Sequence, residues 1–254
     1  MTGIGQLLGR TLVLVAHPDD EAVGCGALLQ RMREPAVVFL TDGAPEDEYF
    51  WGRFGSRENY AAVREQEARL ALAAVSVPTL DFVRSAMDQR LHRHLAGAFD
   101  FLVQFIENYR PQALLSLAYE GGHPDHDCCS FLAHHLGTRF SLPVWEMPLY
   151  FRHASGFVAQ TEFISHEGIE VSIEPTPEEL LRKRIMLSAY VSQGETLQRF
   201  TDALEHFRPQ AAYDYSRPPH PGTLNYEAWG WRISGAEVCA SFARFREHTR
   251  TEAA

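Results

Sequence analysis

The sequence predicts an α/β fold: a mostly parallel sheet flanked by helices, with a C-terminal extension of strands and helices. Three observations carry this. Residues 11–16 (TLVLVA) and 36–41 (AVVFLT) are short, continuous apolar runs rich in β-branched side chains, and 113–117 (ALLSL) repeats the pattern more weakly. Such runs mark strands buried on both faces. Helical patterns lie between them, and strands alternating with helices imply right-handed βαβ units. After residue 142 the alternation stops.

The elements follow in order. Residues 21–33 place Ala22, Gly26, Leu29 and Met32 near helical spacing. Residues 57–75 are rich in Ala, Glu and Arg, all good helix formers. Residues 91–108 carry Leu91, Leu95, Ala98, Leu102 and Phe105 on one helical face, and 127–138 reads as a further helix. Beyond 142, residues 143–150, 157–164 and 169–173 read as strands forming an edge or an antiparallel extension. Helices are expected at 177–190, 194–206 and 235–247, with a Pro/Tyr/Trp-rich segment at 209–232. No repeat or linker is visible, so residues 1–254 are expected to form one domain.

Composition narrows the function. The chain has 254 residues, with 23 Lys+Arg against 33 Asp+Glu and a formal net charge of -10. An acidic chain without a block of Lys/Arg is a poor partner for nucleic acid or an anionic membrane. The first apolar run is five residues long (Leu12 to Ala16), too short for a signal peptide or a membrane span. Cys25, Cys128, Cys129 and Cys239 form no C-x-x-C pair and read as small buried apolar residues. A cytoplasmic, disulfide-free protein is expected. Twelve histidines are many for this length, and imidazole is both the commonest metal ligand and the usual acid–base group near neutral pH.

After the first strand the chain reads Ala16-His17-Pro18-Asp19-Asp20-Glu21. Sites form at the C-terminal ends of parallel strands. Helix capping explains Asp20 or Glu21. It does not explain a His-Pro before them, nor three adjacent carboxylates whose repulsion a cation would relieve. A His with an Asp three residues on is half of a plausible zinc coordination. Gly24-x-Gly26, with Asp42 ending the second strand, loosely imitates a dinucleotide fingerprint, but Leu29 stands where the third glycine belongs.

After 113–117 comes a second loop, Glu120-Gly121-Gly122-His123-Pro124-Asp125-His126-Asp127. It also sits at a strand's C-terminal end, so it can converge on the first. One histidine can bind metal while the other reaches the reacting group. Asp125 can fix an imidazole's tautomer. His92, His94, His134, His135, His153, His166, His206, His220 and His248 have no better claim than surface or packing.

Together, A-H-P-D-D-E and H-P-D-H resemble the PIG-L/LmbE-like family of zinc-dependent N-deacetylases. The likeness runs from about residue 11 to about 206 and takes in Thr41-Asp42-Gly43, Arg64-Glu65-x-Glu67 and Tyr190-Val191-Ser192-Gln193. The resemblance implies a Rossmann-like fold and one Zn2+ per chain. It implies His17, Asp20 and His126 as metal ligands and Asp19 as general base. It makes His123 the group that stabilises the oxyanion or protonates the leaving amine, Asp125 its orienting partner, and Arg64 a substrate contact. The implied reaction removes the N-acetyl group from an N-acetylglucosamine-type sugar or glycoconjugate, a small-molecule partner. The same site could instead serve a different amide, such as a thiol-sugar conjugate. A catalytically silent binding module would have lost Asp19 or His123, and both are present. Homo-oligomers are common in the family, though nothing local specifies one. The aromatics of 44–60, with Tyr213, Tyr215, Tyr226, Trp229 and Trp231, suit either sugar stacking or the packing of irregular segments.

Overall fold

The computed structural model describes residues 3–165, 168–200 and 204–252. A seven-stranded sheet runs through it in the order β3-β2-β1-β4-β5-β9-β8. The elements are β1 (Arg10–Val15), α1 (Asp20–Arg31), β2 (Glu34–Phe39), α2 (Glu48–Trp51), α3 (Arg57–Ala74), β3 (Thr79–Phe82), α4 (Leu95–Tyr109) and β4 (Ala113–Leu117). Then come α5 (Pro124–Phe140), β5 (Val144–Met147), β6 (Tyr150–Arg152), β7 (Val158–Gln160), β8 (Val171–Ile173), α6 (Pro177–Ala189), α7 (Gly194–Leu197), β9 (Glu205–Pro209), α8 (Asn225–Ala228) and α9 (Gly235–Glu252).

β3, β2, β1, β4 and β5 are parallel. β9 joins β5 antiparallel and β8 joins β9 antiparallel, while β6 and β7 form a separate hairpin. This is the expected parallel sheet with an antiparallel C-terminal extension. From β1 the chain moves outward through β2 and β3, then returns to the other side of β1 with β4. The β1/β4 boundary is therefore the topological switch point, where open α/β sheets form their crevice. Both sequence motifs hang from these two strands.

The core explains the apolar runs. Leu12, Val13, Leu14 and Val15 of β1, Ala36 to Phe39 of β2, and Leu114, Leu115 and Leu117 of β4 are all fully buried. Helices cover both faces. α4 buries Leu95, Ala98, Phe99, Leu102 and Ile106, so Ile106 rather than Phe105 closes its apolar stripe. The four cysteines are free and buried. Among the described residues no helix is long and apolar enough to cross a membrane.

Several expected elements differ. The run 143–150 is two strands, β5 and β6, because Pro148 cannot donate a ladder hydrogen bond. The helix expected over 194–206 ends at Leu197, and β9 begins at Glu205; residues 201–203, like His166, lie outside the described residues. Tertiary context overrides helix propensity here, since Phe207 and Arg208 complete the sheet through pairing with β8 and β5. β3 was not expected: it is four residues long, and only Phe82 within it is buried.

Candidate active site and metal centre

The end of β1 turns sharply into α1. Asp19 adopts φ 126°, a conformation strained for any residue with a Cβ. Neighbouring groups hold it there. The Asp19 amide donates to Glu21 Oε2 at 3.1 Å. Arg64 donates to the Pro18 carbonyl at 2.5 Å and lies 3.3 Å from Asp19 Oδ2. Gly43, in the Thr41-Asp42-Gly43 turn at φ +65°, leaves space that a Cβ would take 2.8 Å from Pro18 and 3.0 Å from Arg64 Nε.

Asp20 does not cap its helix forward. Its Oδ2 accepts the preceding amides of Ala16 at 3.1 Å and His17 at 2.8 Å. The carboxylate therefore folds over the end of β1, with Oδ2 3.5 Å from His17 Nδ1 and Oδ1 3.2 Å from His126 Nε2. The second motif arrives from β4. His123 is the N-cap of α5, its Nδ1 accepting the Asp125 amide at 3.1 Å, with Pro124 in the first turn. The His17 ring stands 4.3 Å from the His123 ring and 5.3 Å from the His126 ring. Strand–loop–helix geometry thus brings together His17, Asp19, Asp20, His123, Asp125 and His126.

Two placements differ from expectation. Asp125 pairs with His17, its Oδ2 lying 3.2 Å from Nε2, and not with His123, whose Nδ1 is 3.9 Å away. Asp125 also accepts the amides of Gln89 at 2.6 Å and Leu91 at 3.0 Å, tying the loop after β3 to the site. The acid facing His123 is Asp88, whose Oδ1 is 3.2 Å from both His123 Nε2 and His17 Nε2. Sequence reasoning missed Asp88, a lone acid after an unrecognised strand. Its signal was positional only, since it follows the C-terminal end of β3. Arg64, implied as a substrate contact, is 3% exposed and spends its bonds on Pro18 and Asp19.

The donors suit a divalent cation. His17, His123 and His126 place ring nitrogens within 4.8 Å of one another, and so do the donor atoms of His17, Asp88, His123 and Asp125. His126 Nδ1 has no hydrogen-bond partner among the described residues, although the residue is 1% exposed, and Nε2 faces Asp20 Oδ1. Buried polar atoms are rarely left so, and a ligand is one explanation.

Electrostatics divides the groups. Burial alone would lower His17, but Asp88, Asp125 and Asp20 hold it well above the ordinary imidazole range. Burial raises Asp19 to about 6, with Arg64 opposing the rise. Burial would also raise Asp20, yet His126 and His17 bring it well below the carboxylate range. Burial and the neighbouring His17 lower His123. Burial pushes Glu21 up to about 8 despite its bond from the Tyr190 hydroxyl.

A second layer holds these loops. Of the Tyr190-Val191-Ser192-Gln193 stretch, Ser192 bonds Glu67 through its amide at 2.7 Å and its hydroxyl at 2.6 Å, and Gln193 reaches Tyr60 at 2.5 Å. Helix α1 breaks at Cys25 (φ -147°, ψ 24°). Glu205 accepts the amides of Ala27 at 2.7 Å and Leu28 at 2.9 Å beyond the break. Lys183 Nζ donates to the Val23 carbonyl at 3.0 Å and pairs with Glu205 at 2.7 Å, both side chains fully buried. On the open side the aromatics divide. Tyr215 and Tyr226 are core, whereas Trp231 stands edge-on to His123 at 4.9 Å and Trp229, 49% exposed, packs 5.1 Å from Trp231.

Imidazoles and carboxylates converging at the switch point of an α/β sheet form a candidate metal centre. Residues 12–136, just under half of the chain, match the GlcNAc-PI de-N-acetylase (PIG-L) family, the family its two motifs resemble. No curated protein gives a significant match. Among solved structures, an A40926 pseudoaglycone deacetylase, Dbv21, shares 19% identity at a TM-score of 0.63, covering 80% of this chain and 99% of that one. An N,N'-diacetylchitobiose deacetylase from Pyrococcus horikoshii shares 18% at 0.50, covering 78% and 83%. A 4-carboxy-2-hydroxymuconate hydratase, GalB, from Pseudomonas putida shares 14% at 0.52, covering 81% and 99%. These likenesses establish the fold, and their different reactions leave the chemistry to the site.

Proposed function

We propose that this protein is a zinc-dependent N-deacetylase that removes the acetyl group from an N-acetylglucosamine-type sugar or glycoconjugate. We take residues 1–254 as one domain acting in the cytoplasm on a soluble substrate. The observation that carries the reading is the convergence of His17, Asp20 and His126 beside Asp19 and His123 at the β1/β4 switch point.

His17, Asp20 and His126 would hold the metal, a two-imidazole, one-carboxylate set that leaves room for water. Bound there, the metal supplies an activated water and polarises the acetamide carbonyl. Asp19, with a pKa of about 6, is ionised at neutral pH and accepts the proton released by the attacking water. Arg64 keeps it charged and aimed. His123 acts on the opposite side. Its Nδ1 accepts the Asp125 amide, so the neutral ring carries its proton on Nε2, the nitrogen facing Asp88. That N–H donates to the developing oxyanion. Asp19, now protonated, returns its proton to the departing nitrogen. The products are acetate and a free amine.

Metal analysis of purified protein, combined with amine release from a panel of N-acetyl sugars, tests this. One bound metal and amine release are expected. Asp19→Asn should keep the metal and lose about 10²–10⁴-fold in kcat. A metal-free protein, or an active Asp19→Asn, overturns the reading.

A further inference from the structure

β6 starts at Tyr150, and everything around that residue fixes its position. Its amide donates to Glu120 Oε1 at 2.9 Å, and the preceding Leu149 amide donates to the same oxygen at 2.8 Å. Glu120, 1% exposed, stands at the start of the second motif loop. The Tyr150 carbonyl lies so close to Gly122 that a Cβ there would sit 2.0 Å from it. The loop carrying His123 and His126 and the strand carrying Tyr150 are thus locked face to face. The Tyr150 ring meets the His126 ring edge-on at 5.4 Å and packs 6.0 Å from Trp229.

The hydroxyl is left over. Among the described residues it makes no recorded hydrogen bond, whereas Tyr119, Tyr190, Tyr213, Tyr215 and Tyr226 all spend theirs within the protein. Its charged neighbours are those of the active site. Asp20, Asp88 and Asp19 are the carboxylates that act on it most strongly. The ring that carries it is held against Gly122 and edge-on to His126, beside the proposed metal ligands.

We propose that Tyr150 is a further catalytic residue, its hydroxyl donating a hydrogen bond to the acetamide carbonyl oxygen as that oxygen gains negative charge. It complements His123 from the other side of the site. Neither residue transfers a proton to the oxygen, so the step adds stabilisation without changing the proton inventory. The residue comes from β6, outside the matched stretch 12–136. The proposal rests on the deacetylase reading of this same site.

The test compares wild type and Tyr150→Phe, both loaded with zinc, in two assays. In steady-state deacetylation, Tyr150→Phe should lower kcat about 10²-fold while KM stays close to wild type. Its thermal midpoint should be unchanged or raised, since the substitution removes a hydroxyl the fold does not use. A raised KM with unchanged kcat, or unchanged kinetics, overturns the assignment. Calorimetric titration with acetate, the product's carboxylate, supplies an arm independent of turnover, in which Tyr150→Phe should bind acetate about ten-fold more weakly. Equal affinity, or no acetate binding by wild type, overturns it. If wild type releases no amine, the deacetylase reading fails by itself, and the acetate arm still decides whether Tyr150 donates into the site.

Discussion

Replacing Lys183 by Met removes the ammonium that faces Glu205 and donates to the Val23 carbonyl at the break in α1. Both partners are fully buried, so water cannot screen the carboxylate that remains. Glu205 would keep its bonds from Ala27 and Leu28, which soften the loss but do not neutralise the charge. Breaking one side of a buried pair costs about 3–5 kcal/mol. For a chain of this size that is a fall of about 6–20 °C in the thermal midpoint. The double variant Lys183→Met/Glu205→Gln removes the stranded charge and leaves an amide oxygen for the freed N–H groups. It should recover about half of the loss, a coupling that a double-mutant cycle in urea measures. A single variant within about 1 kcal/mol of wild type would refute the reasoning. So would a double variant no more stable than Lys183→Met.

Three further outcomes follow from the geometry. His126→Ala should strip most bound metal from the purified protein while leaving circular dichroism intact; full metal occupancy would remove it from the ligand set. Gly122→Ala drives a Cβ to 2.0 Å from the Tyr150 carbonyl, where backbone must move, so both stability and kcat should fall; a variant with wild-type midpoint and rate contradicts the close packing of loop and strand. Burial, with His134 and Arg246 nearby, lowers His135 to about 4, below the 6.5 of an exposed imidazole. The unfolded chain therefore takes up this proton first as pH falls. The stability contribution is fully present above pH 6.5 and is lost between there and about 4. His135→Gln should flatten that part of the stability–pH curve, and an unchanged slope would clear His135 of the effect.

The legible parts of this protein are those where function and fold share a short stretch of chain. β1, β2 and β4 show as apolar runs because both faces of each strand are covered. The two motifs show because their histidines and acids are contiguous, and strand–loop–helix context tells where such loops go. Partners brought together by the fold stay hidden. Asp88 is one acid in an irregular loop, and only the return of β3 to the sheet places it between His17 and His123. The resemblance implied Asp125 as the partner of His123, but the first turn of α5 aims its carboxylate at His17 instead. Lys183 and Glu205 sit in segments of ordinary helical composition, and nothing local distinguishes a buried pair from two surface charges. The helix expected across 194–206 fails for the same reason, because β9 is stabilised by pairing with distant strands.

The pairing of β1 with β4 has a consequence for how the site meets its ion. The two donor-bearing loops leave adjacent strands bonded in register from Thr11↔Ala113 to Leu14↔Ser116, with the Ser116 hydroxyl donating to the Leu14 carbonyl at 3.0 Å. The spacing between imidazoles is thus inherited from the ladder of the sheet, and it exists before any cation arrives. In a zinc finger the metal's binding energy is consumed in folding the chain. Here the scaffold is already folded by its own core, so a cation's binding energy would stay available as affinity and as polarising power at the proposed acetamide substrate. A cation held there would be an exchangeable reagent of the proposed reaction, and a chelator should silence the protein without unfolding it.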